Sequence, residues 1–313
     1  MEKSKKTAVK IIGVSLGIFI FLLLLSQPSR NSKNSHKLST IKIASPDVLE
    51  TLKIEGTEAR SIFIYDLASN KKLFAKNERE RLPLASLTKM MVASVVYDFD
   101  IPKYSTVKIT SEAIRQTGDN NLKEGDEWTL KDLLDFALVE SSNDATRAVA
   151  SIGFLAEKEK SSLQIFVEHM NKKARELGLE ETYFLNDTGL DITNETSGGY
   201  GSAKDMVTLI SHLYKNHPES IEATSYANIE ISSSQINYDA HNTNRALRQS
   251  SRILASKTGY TDLAGGNLAV VFDVGFNHPV AVAILGSSEE GRFKDIEIII
   301  KSVYDYFNTD NYD

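Results

Sequence analysis

Ser86 and Lys89 stand three residues apart in Leu84-Ala85-Ser86-Leu87-Thr88-Lys89, a spacing that places both on one face of a helix within side-chain reach. A serine hydroxyl is a poor nucleophile at neutral pH and needs an adjacent base to take its proton as it attacks a carbonyl. A lysine can be that base if burial and a second nearby cation hold it neutral; Lys257 is the candidate cation. The run Met90, Met91, Val92, Val95, Val96 is apolar enough to bury the helix and desolvate Lys89. Pro83 and Ala85 suit a helix entry that sets Ser86 in the first turn, near the positive end of the dipole. Alone, such a pair reads as an ordinary surface Ser and Lys.

Two further short motifs change that reading. Ser141-Ser142-Asn143 follows a helix announced by the capping pair Thr129 and Asp132, with Leu133, Leu134, Phe136, Ala137 and Leu138 as its apolar face. A turn between that helix and the next (Ala145 to Ile152) can aim Ser141 and Asn143 into one cleft. There Ser141 would relay a proton to a leaving group and Asn143 would hold a substrate amide; the plainer alternative is that both cap the second helix. Lys257-Thr258-Gly259-Tyr260 precedes Asn267 to Phe272, a turn from Gly275 to Pro279 and the run Val280 to Leu285, a β-hairpin pattern. Lys257 and Thr258 offer a cation and a hydroxyl to a carboxylate, and Gly259 allows a substrate backbone close to the strand edge.

In this order the three motifs resemble the signature of the serine acyl-transferases that include penicillin-binding proteins and class A β-lactamases. The chain is most similar to the low-molecular-mass penicillin-binding proteins of the serine D-alanyl-D-alanine carboxypeptidase family. The resemblance continues through Ser61 to Asp66 with Lys71 to Phe74, Phe184 to Asp191, Tyr200 to Asp205, Asn242 to Asn244 and Gly265 to Leu268, and covers roughly residues 57 to 307. It implies an α/β (α+β) fold of the β-lactamase/transpeptidase-like kind: an antiparallel sheet flanked by helices, an all-helical part holding Ser141 to Asn143, and a site in the cleft between them. The sheet would pair the hairpin Arg60 to Ala75 with the strands from Leu254 to Leu285, closed by a helix from Asp295 to Phe307.

The resemblance further implies a two-step acyl transfer. Ser86 attacks the peptide bond between two terminal D-alanines of a peptidoglycan stem pentapeptide, and water activated by Lys89 hydrolyses the ester. The oxyanion donors would be the backbone N–H groups of Ser86 and Tyr260, and Lys257 and Thr258 would hold the terminal carboxylate, with Arg292 assisting. Penicillins and other β-lactams would acylate the same serine and leave slowly. No cofactor or metal is implied. A class A β-lactamase would carry a deacylating Glu in Glu-x-x-Leu-Asn, but the position three before Leu185 is Thr182, with Glu181 one residue out of register. D,D-endopeptidase activity on cross-links is the nearer alternative, since one site can cut both bonds. A non-catalytic wall-binding scaffold would be expected to have lost Ser86, Lys89 or Lys257.

Lys3, Lys5, Lys6 and Lys10 precede an apolar run from Ile11 to Leu25, which reads as an N-terminal membrane anchor with its positive end in the cytoplasm, or as a signal peptide. Either exports the rest. The polar ending after Phe307 favours anchoring at the N-terminus. The expected organisation is residues 1–26 as cytoplasmic N-region and anchor, 27–50 as flexible tether, and 51–313 as catalytic domain. Charge is −6 overall although residues 1–10 are basic, so the exported part is acidic and a poor nucleic-acid binder. The absence of cysteine excludes disulfides and thiol catalysis. The six histidines show no ligand spacing, with His212 and His217 five apart, and read as surface or capping residues. Gly198 to Gly201 reads as a turn before a helix capped by Ser202 and Asp205, and Trp128 as core or staple packing.

Overall fold

The computed structural model describes residues 52–99, 101–118, 122–151, 162–248, 252–275 and 277–309. These belong to one compact unit, Leu49–Asp313; the expected anchor and tether lie outside the described residues. In chain order the elements are β1 (Ser61–Asp66), β2 (Lys71–Lys76), β3 (Leu82–Pro83), α1 (Thr88–Asp98), β4 (Thr106–Lys108), β5 (Glu127–Thr129) and α2 (Leu130–Val139). Then come α3 (Asn143–Ser151), α4 (Ser162–Glu176), β6 (Tyr183–Phe184), β7 (Gly199–Gly201), α5 (Ala203–Asn216), β8 (Asn228–Ser232) and β9 (Asn237–His241). The strands β10 (Ile253–Thr261), β11 (Gly265–Asp273) and β12 (Pro279–Ser287), with α6 (Gly291–Thr309), close the fold.

The main sheet has the order β10-β11-β12-β1-β2 and is antiparallel throughout. Strand alternation sorts its side chains between two covered faces. Ile62, Ile64, Leu268, Val270, Phe272, Val280, Val282 and Ile284 pack with Phe293, Ile296, Ile299 and Val303 of α6. The opposite face is built of smaller residues, Ala255, Ala269, Ala281 and Ala283, in one core with Met90 and Met91 of α1 and Leu209 and Ile210 of α5. Alanines there let α5 approach the sheet closely, and the 3-10 turn Ala85–Leu87 just ahead of α1 lies against β10. The Asp295 carboxylate accepts from the Glu58 and Ala59 N–H groups and from the Ser287 hydroxyl (2.8, 2.9 and 2.7 Å). One buried side chain on α6 thus fixes the start of β1 and the end of β12.

The helical part carries α1 to α4 and also two-stranded pieces, β4–β5 and β8–β9. Trp128 is buried against Phe136 and Tyr238 at ring separations of 5.4 and 5.0 Å, a core role. Both expected N-caps form: the Asp132 N–H donates to Thr129 Oγ1 and the Asp205 N–H to Ser202 Oγ. Three local expectations need correction. Pro83 belongs to strand β3 rather than to a helix entry, and Gly199–Gly201 is a strand between β3 and β6 rather than a turn. The last helix begins at Gly291, four residues early, so Arg292 is in its first turn. Among the described residues, no helix is long and apolar enough to cross a membrane.

Candidate active site

Ser86 sits in a 3-10 turn, Ala85–Leu87, directly ahead of α1 rather than within it. Ala85 has φ 48, a left-handed conformation costly for a residue with a Cβ. Neighbours hold it there. The Leu84 N–H donates to the Gly199 carbonyl at 2.9 Å, and buried Asn267 donates through Nδ2 to the Pro83 carbonyl at 2.9 Å. Two glycines press on the turn from either side: a Cβ on Gly189 would lie 1.9 Å from the Ala85 oxygen, and one on Gly259 would lie 2.8 Å from the Leu84 oxygen and 3.2 Å from the Ser86 nitrogen. The space that Gly259 was expected to open for a substrate is, on this side, filled by the Ser86 turn itself.

Lys89 is 1% exposed. Its Nζ donates to Ser86 Oγ at 2.8 Å, Asn143 Oδ1 at 2.7 Å and the Thr188 carbonyl at 3.1 Å. Burial pulls the ammonium down to about 7, against the opposing influence of the Asp187 carboxylate. The geometry then decides what the neutral amine can do. Two of its three partners, the amide and backbone oxygens, only accept hydrogen bonds, so they occupy the two remaining N–H groups. The lone pair is left for the Ser86 hydroxyl. Asn143 is oriented in turn by donating through Nδ2 to the Thr117 carbonyl at 2.7 Å, so its contact here is with Lys89, where a substrate amide was expected. Ser142, not Ser141, caps α3, accepting from the Ala145 N–H at 3.1 Å. Ser141 stands free of capping in a left-handed conformation, φ 60.

Lys257, also 1% exposed, lies in the middle of edge strand β10. Its Nζ donates to Ser141 Oγ at 2.8 Å and to the Thr258 carbonyl at 2.9 Å. Burial, with Lys89 and Arg292 as neighbouring cations, pulls it well below the ordinary lysine range. Burial is therefore the first cause at both lysines; Lys257 is not the main agent that lowers Lys89. Thr258 meets the Thr243 hydroxyl at 2.5 Å. Tyr260 is 44% exposed at the strand end. Arg292 is buried rather than solvated; Nη1 donates to the Gly259 carbonyl at 2.6 Å, with the guanidinium 6.0 Å from the Tyr260 ring centre. Its contact is with the strand backbone, which it positions.

Several contributors had no role in the sequence reading. Asp187, fully buried, pairs with Arg147 at 2.9 Å, and the carbonyl of its neighbour Thr188 receives Lys89. Arg147 lies one helical turn after Asn143 on α3, a spacing that could have flagged it. Thr117 carries no such signal, since it acts through folding of distant chain, and Thr243 stood in the segment Asn242 to Asn244 with no role given to it. Glu181 is paired with Arg79 and Arg81 at 3.5 and 3.4 Å and makes no contact with Ser86 or Lys89. The histidines also depart from the expected reading: the fold gathers His212 and His217 with Asp98, because α5 ends between them and His217, φ −137 and ψ 54, turns out of helical spacing.

A family profile described as D-alanyl-D-alanine carboxypeptidase matches residues 49–288. D-alanyl-D-alanine carboxypeptidase DacF of Bacillus subtilis (strain 168) is 32% identical over 257 residues, 80% of this chain and 64% of that protein. A D-alanyl-D-alanine endopeptidase of Escherichia coli (strain K12) is 30% identical over 233 residues, 72% of this chain and 70% of that protein. The chain thus spans slightly less than two thirds of the first relative. The crystal structure of penicillin-binding protein D2 from Listeria monocytogenes, in its cefotaxime-bound form, aligns with a TM-score of 0.67 at 24% identity over 80% of this chain and 98% of that one. The likeness is one of fold, and the fold is the β-lactamase/transpeptidase-like one anticipated from the motifs.

Proposed function

This chain belongs to the D-alanyl-D-alanine carboxypeptidase family, and from that premise we propose that it is a serine hydrolase that removes the terminal D-alanine from peptidoglycan stem pentapeptides. The observation that carries the reading is the 2.8 Å contact between buried Lys89 and Ser86, with the amine's other bonds committed to acceptors. Ser86 gives its proton to neutral Lys89 as Oγ adds to the D-Ala–D-Ala carbonyl. The N–H groups of Ser86 and Tyr260 are the assigned oxyanion donors; loss of one such donor typically costs about a hundred- to a thousand-fold in rate. The proton reaches the leaving amine through Ser141, whose hydroxyl is held by Lys257. D-Alanine departs, leaving an ester on Ser86, and water delivered with Lys89 as base hydrolyses it. Lys257 and Thr258 receive the substrate carboxylate, Asn143 steadies the amide, and Gly259 and Arg292 hold the strand.

The reading includes acylation of Ser86 by β-lactams, supported by the fold shared with a penicillin-binding protein whose structure holds cefotaxime. Cleavage of cross-links is the second reading, favoured by the endopeptidase among the relatives. An extracytoplasmic location behind an N-terminal anchor rests on the Lys-rich start and the apolar run from Ile11 to Leu25. The deciding experiment incubates the full chain, beside Ser86→Ala, with a muramyl pentapeptide and with cross-linked dimers. Free D-alanine from the native protein alone is the expected result. Dimer cleavage without free D-alanine installs the second reading, and inactivity on both, with no penicillin labelling of folded protein, sinks the proposal.

A further inference from the structure

At the end of α1 remote from Ser86 lies a group of side chains that acyl transfer does not use. Asp98, the last residue of α1, His212 in the final turn of α5 and His217 just beyond it each offer a ligand atom, all within 4.8 Å of one another. His217 Nε2 is 3.8 Å from Asp98 Oδ1. The rings of His212 and His217 meet edge to face at 5.3 Å. The Nδ1 of His212 is taken by the Asn216 side-chain amide at 2.8 Å, and its Nε2 is buried with no hydrogen-bond partner. A buried ring nitrogen left over in this way calls for a partner.

We infer that Asp98, His212 and His217 form a binding site for a zinc-class divalent cation. Two imidazoles and one carboxylate are a borderline ligand set suited to zinc, with a fourth position for water. Ligand atoms in a tetrahedral zinc site lie about 3.3 Å apart, given bonds of about 2.0–2.1 Å, so closure asks the three atoms to draw in by about 1.5 Å at most, at an exposed Asp98 and a half-buried His217. Asn216 supplies the outer partner: with its amide turned to present oxygen, it accepts from His212 Nδ1–H and fixes the tautomer that frees Nε2. Lys173 donates to Asp98 Oδ2 at 2.6 Å, which leaves Oδ1 for the ion and keeps the carboxylate oriented. The C-terminal ends of α1 and α5 meet here, and their unpaired carbonyls favour a cation. His217 also borders a cavity of about 220 Å³ with Tyr97, Phe99, Lys103 and Glu219. Bound there, the ion would tie the far end of the helix that carries Lys89 to α5.

The site stands apart from the acyl-transfer reading, and so does its test. Zinc is titrated into the full chain by calorimetry, with thermal unfolding followed in parallel and cobalt as a spectroscopic substitute. The expected result is one ion per chain, a rise in Tm with zinc, and visible cobalt bands of a four-coordinate nitrogen–oxygen site. Asp98→Asn weakens binding at least about tenfold, and the double variant His212→Ala/His217→Ala abolishes it. His217→Asn, outside the helix, serves as a second loss variant if the double one does not fold. No saturable binding, or binding and cobalt bands that survive loss of these histidines, overturns the inference.

Discussion

The two walls of the cleft are made differently. The sheet wall presents Lys257, Thr258, Gly259 and Tyr260 from consecutive positions of one strand, set by a ladder that pairs Lys257 with Ala269 and Gly259 with Asn267. The helical wall gathers Ser86, Lys89, Ser141 and Asn143 from two turns and the first turns of α1 and α3 that follow them, with two left-handed non-glycine residues, Ala85 and Ser141. Regular structure positions the groups that would hold a substrate; strained turns and a desolvated amine position the groups that would react with it. Strain of this kind persists only where the surroundings over-determine it, and here they are Gly199 of β7, Gly259 of β10, Asn267 of β11 and the loop at Gly189.

Removing the buried base tests the helical wall most severely. Lys89→Met is expected to lower acylation by β-lactam or peptide by about a hundred- to ten-thousand-fold, the usual worth of a general base. The pH profile of the native protein should agree. Lys89 must be neutral to act, so kcat/KM should climb through pH 7 from the acid side and level above it, as its folded pKa of about 7 requires. Stability gives an independent check. Lys89 falls from an ordinary 10.5 to about 7 on folding, so between those values the unfolded chain binds the extra proton and stability rises with pH. Below pH 7 the penalty for burying the amine is present in full. Lys89→Met should therefore be more stable than the native protein at neutral pH and show a shallower rise towards pH 10 in denaturant midpoint. An equally steep rise and an unchanged midpoint would mean that Lys89 is not the buried, depressed group described here.

The glycines that clamp the nucleophile turn separate the walls more finely. Gly189→Ala places a Cβ 1.9 Å from the Ala85 oxygen at a residue with φ +81, so it fails twice, by clash and by backbone conformation. A loss of about 2 kcal/mol or more is expected, read as a fall in Tm of several degrees, together with loss of acylation. Gly259→Ala meets a lesser clash, 2.8 Å, with no conformational penalty, in a strand whose ladder on β11 is intact. It should lose clearly less Tm than Gly189→Ala while its acylation rate drops, because the backbone atoms that must shift are those around Ser86. Equal losses of stability in the two variants would erase the distinction between the walls.

The same contrast explains what could be read from sequence. The strand wall was legible because two unbroken apolar runs, Leu268 to Phe272 and Val280 to Leu285, and the turn at Gly275 to Pro279 all point to one hairpin, and Lys257 to Tyr260 keep their order on the strand before it. Helix α2 with its Thr129 and Asp132 cap was legible for the same local reason. The turn at Ser86 was not, since Pro83 and Ala85 look like a helix entry until β7 pairs with β3 and Gly189 arrives from a hundred residues away. Arg292 was expected to assist with the substrate carboxylate, and the start of α6 at Gly291 instead gives its guanidinium the Gly259 carbonyl. His212 and His217 were set aside for their spacing, which a helix end between them makes irrelevant.

Thr243 joins the two walls and gives the smallest expected effect. Its N–H donates to the Val139 carbonyl at 3.2 Å, at the end of α2 just before Ser141, while its hydroxyl meets Thr258 at 2.5 Å. Thr243→Val keeps the branched shape and removes only the hydroxyl. Thr258 then loses the partner that sets the direction of its own O–H, the group assigned to the substrate carboxylate. One such hydrogen bond is worth about 1 kcal/mol, so kcat/KM for a peptide with a free C-terminal carboxylate should fall by about fivefold to tenfold. The fall should appear in KM more than in kcat, with Tm nearly unchanged, and Thr243→Ser should restore it. A fall in kcat alone would place Thr243 with the reacting groups of the helical wall, and no fall at all would show that the strand wall orients Thr258 unaided.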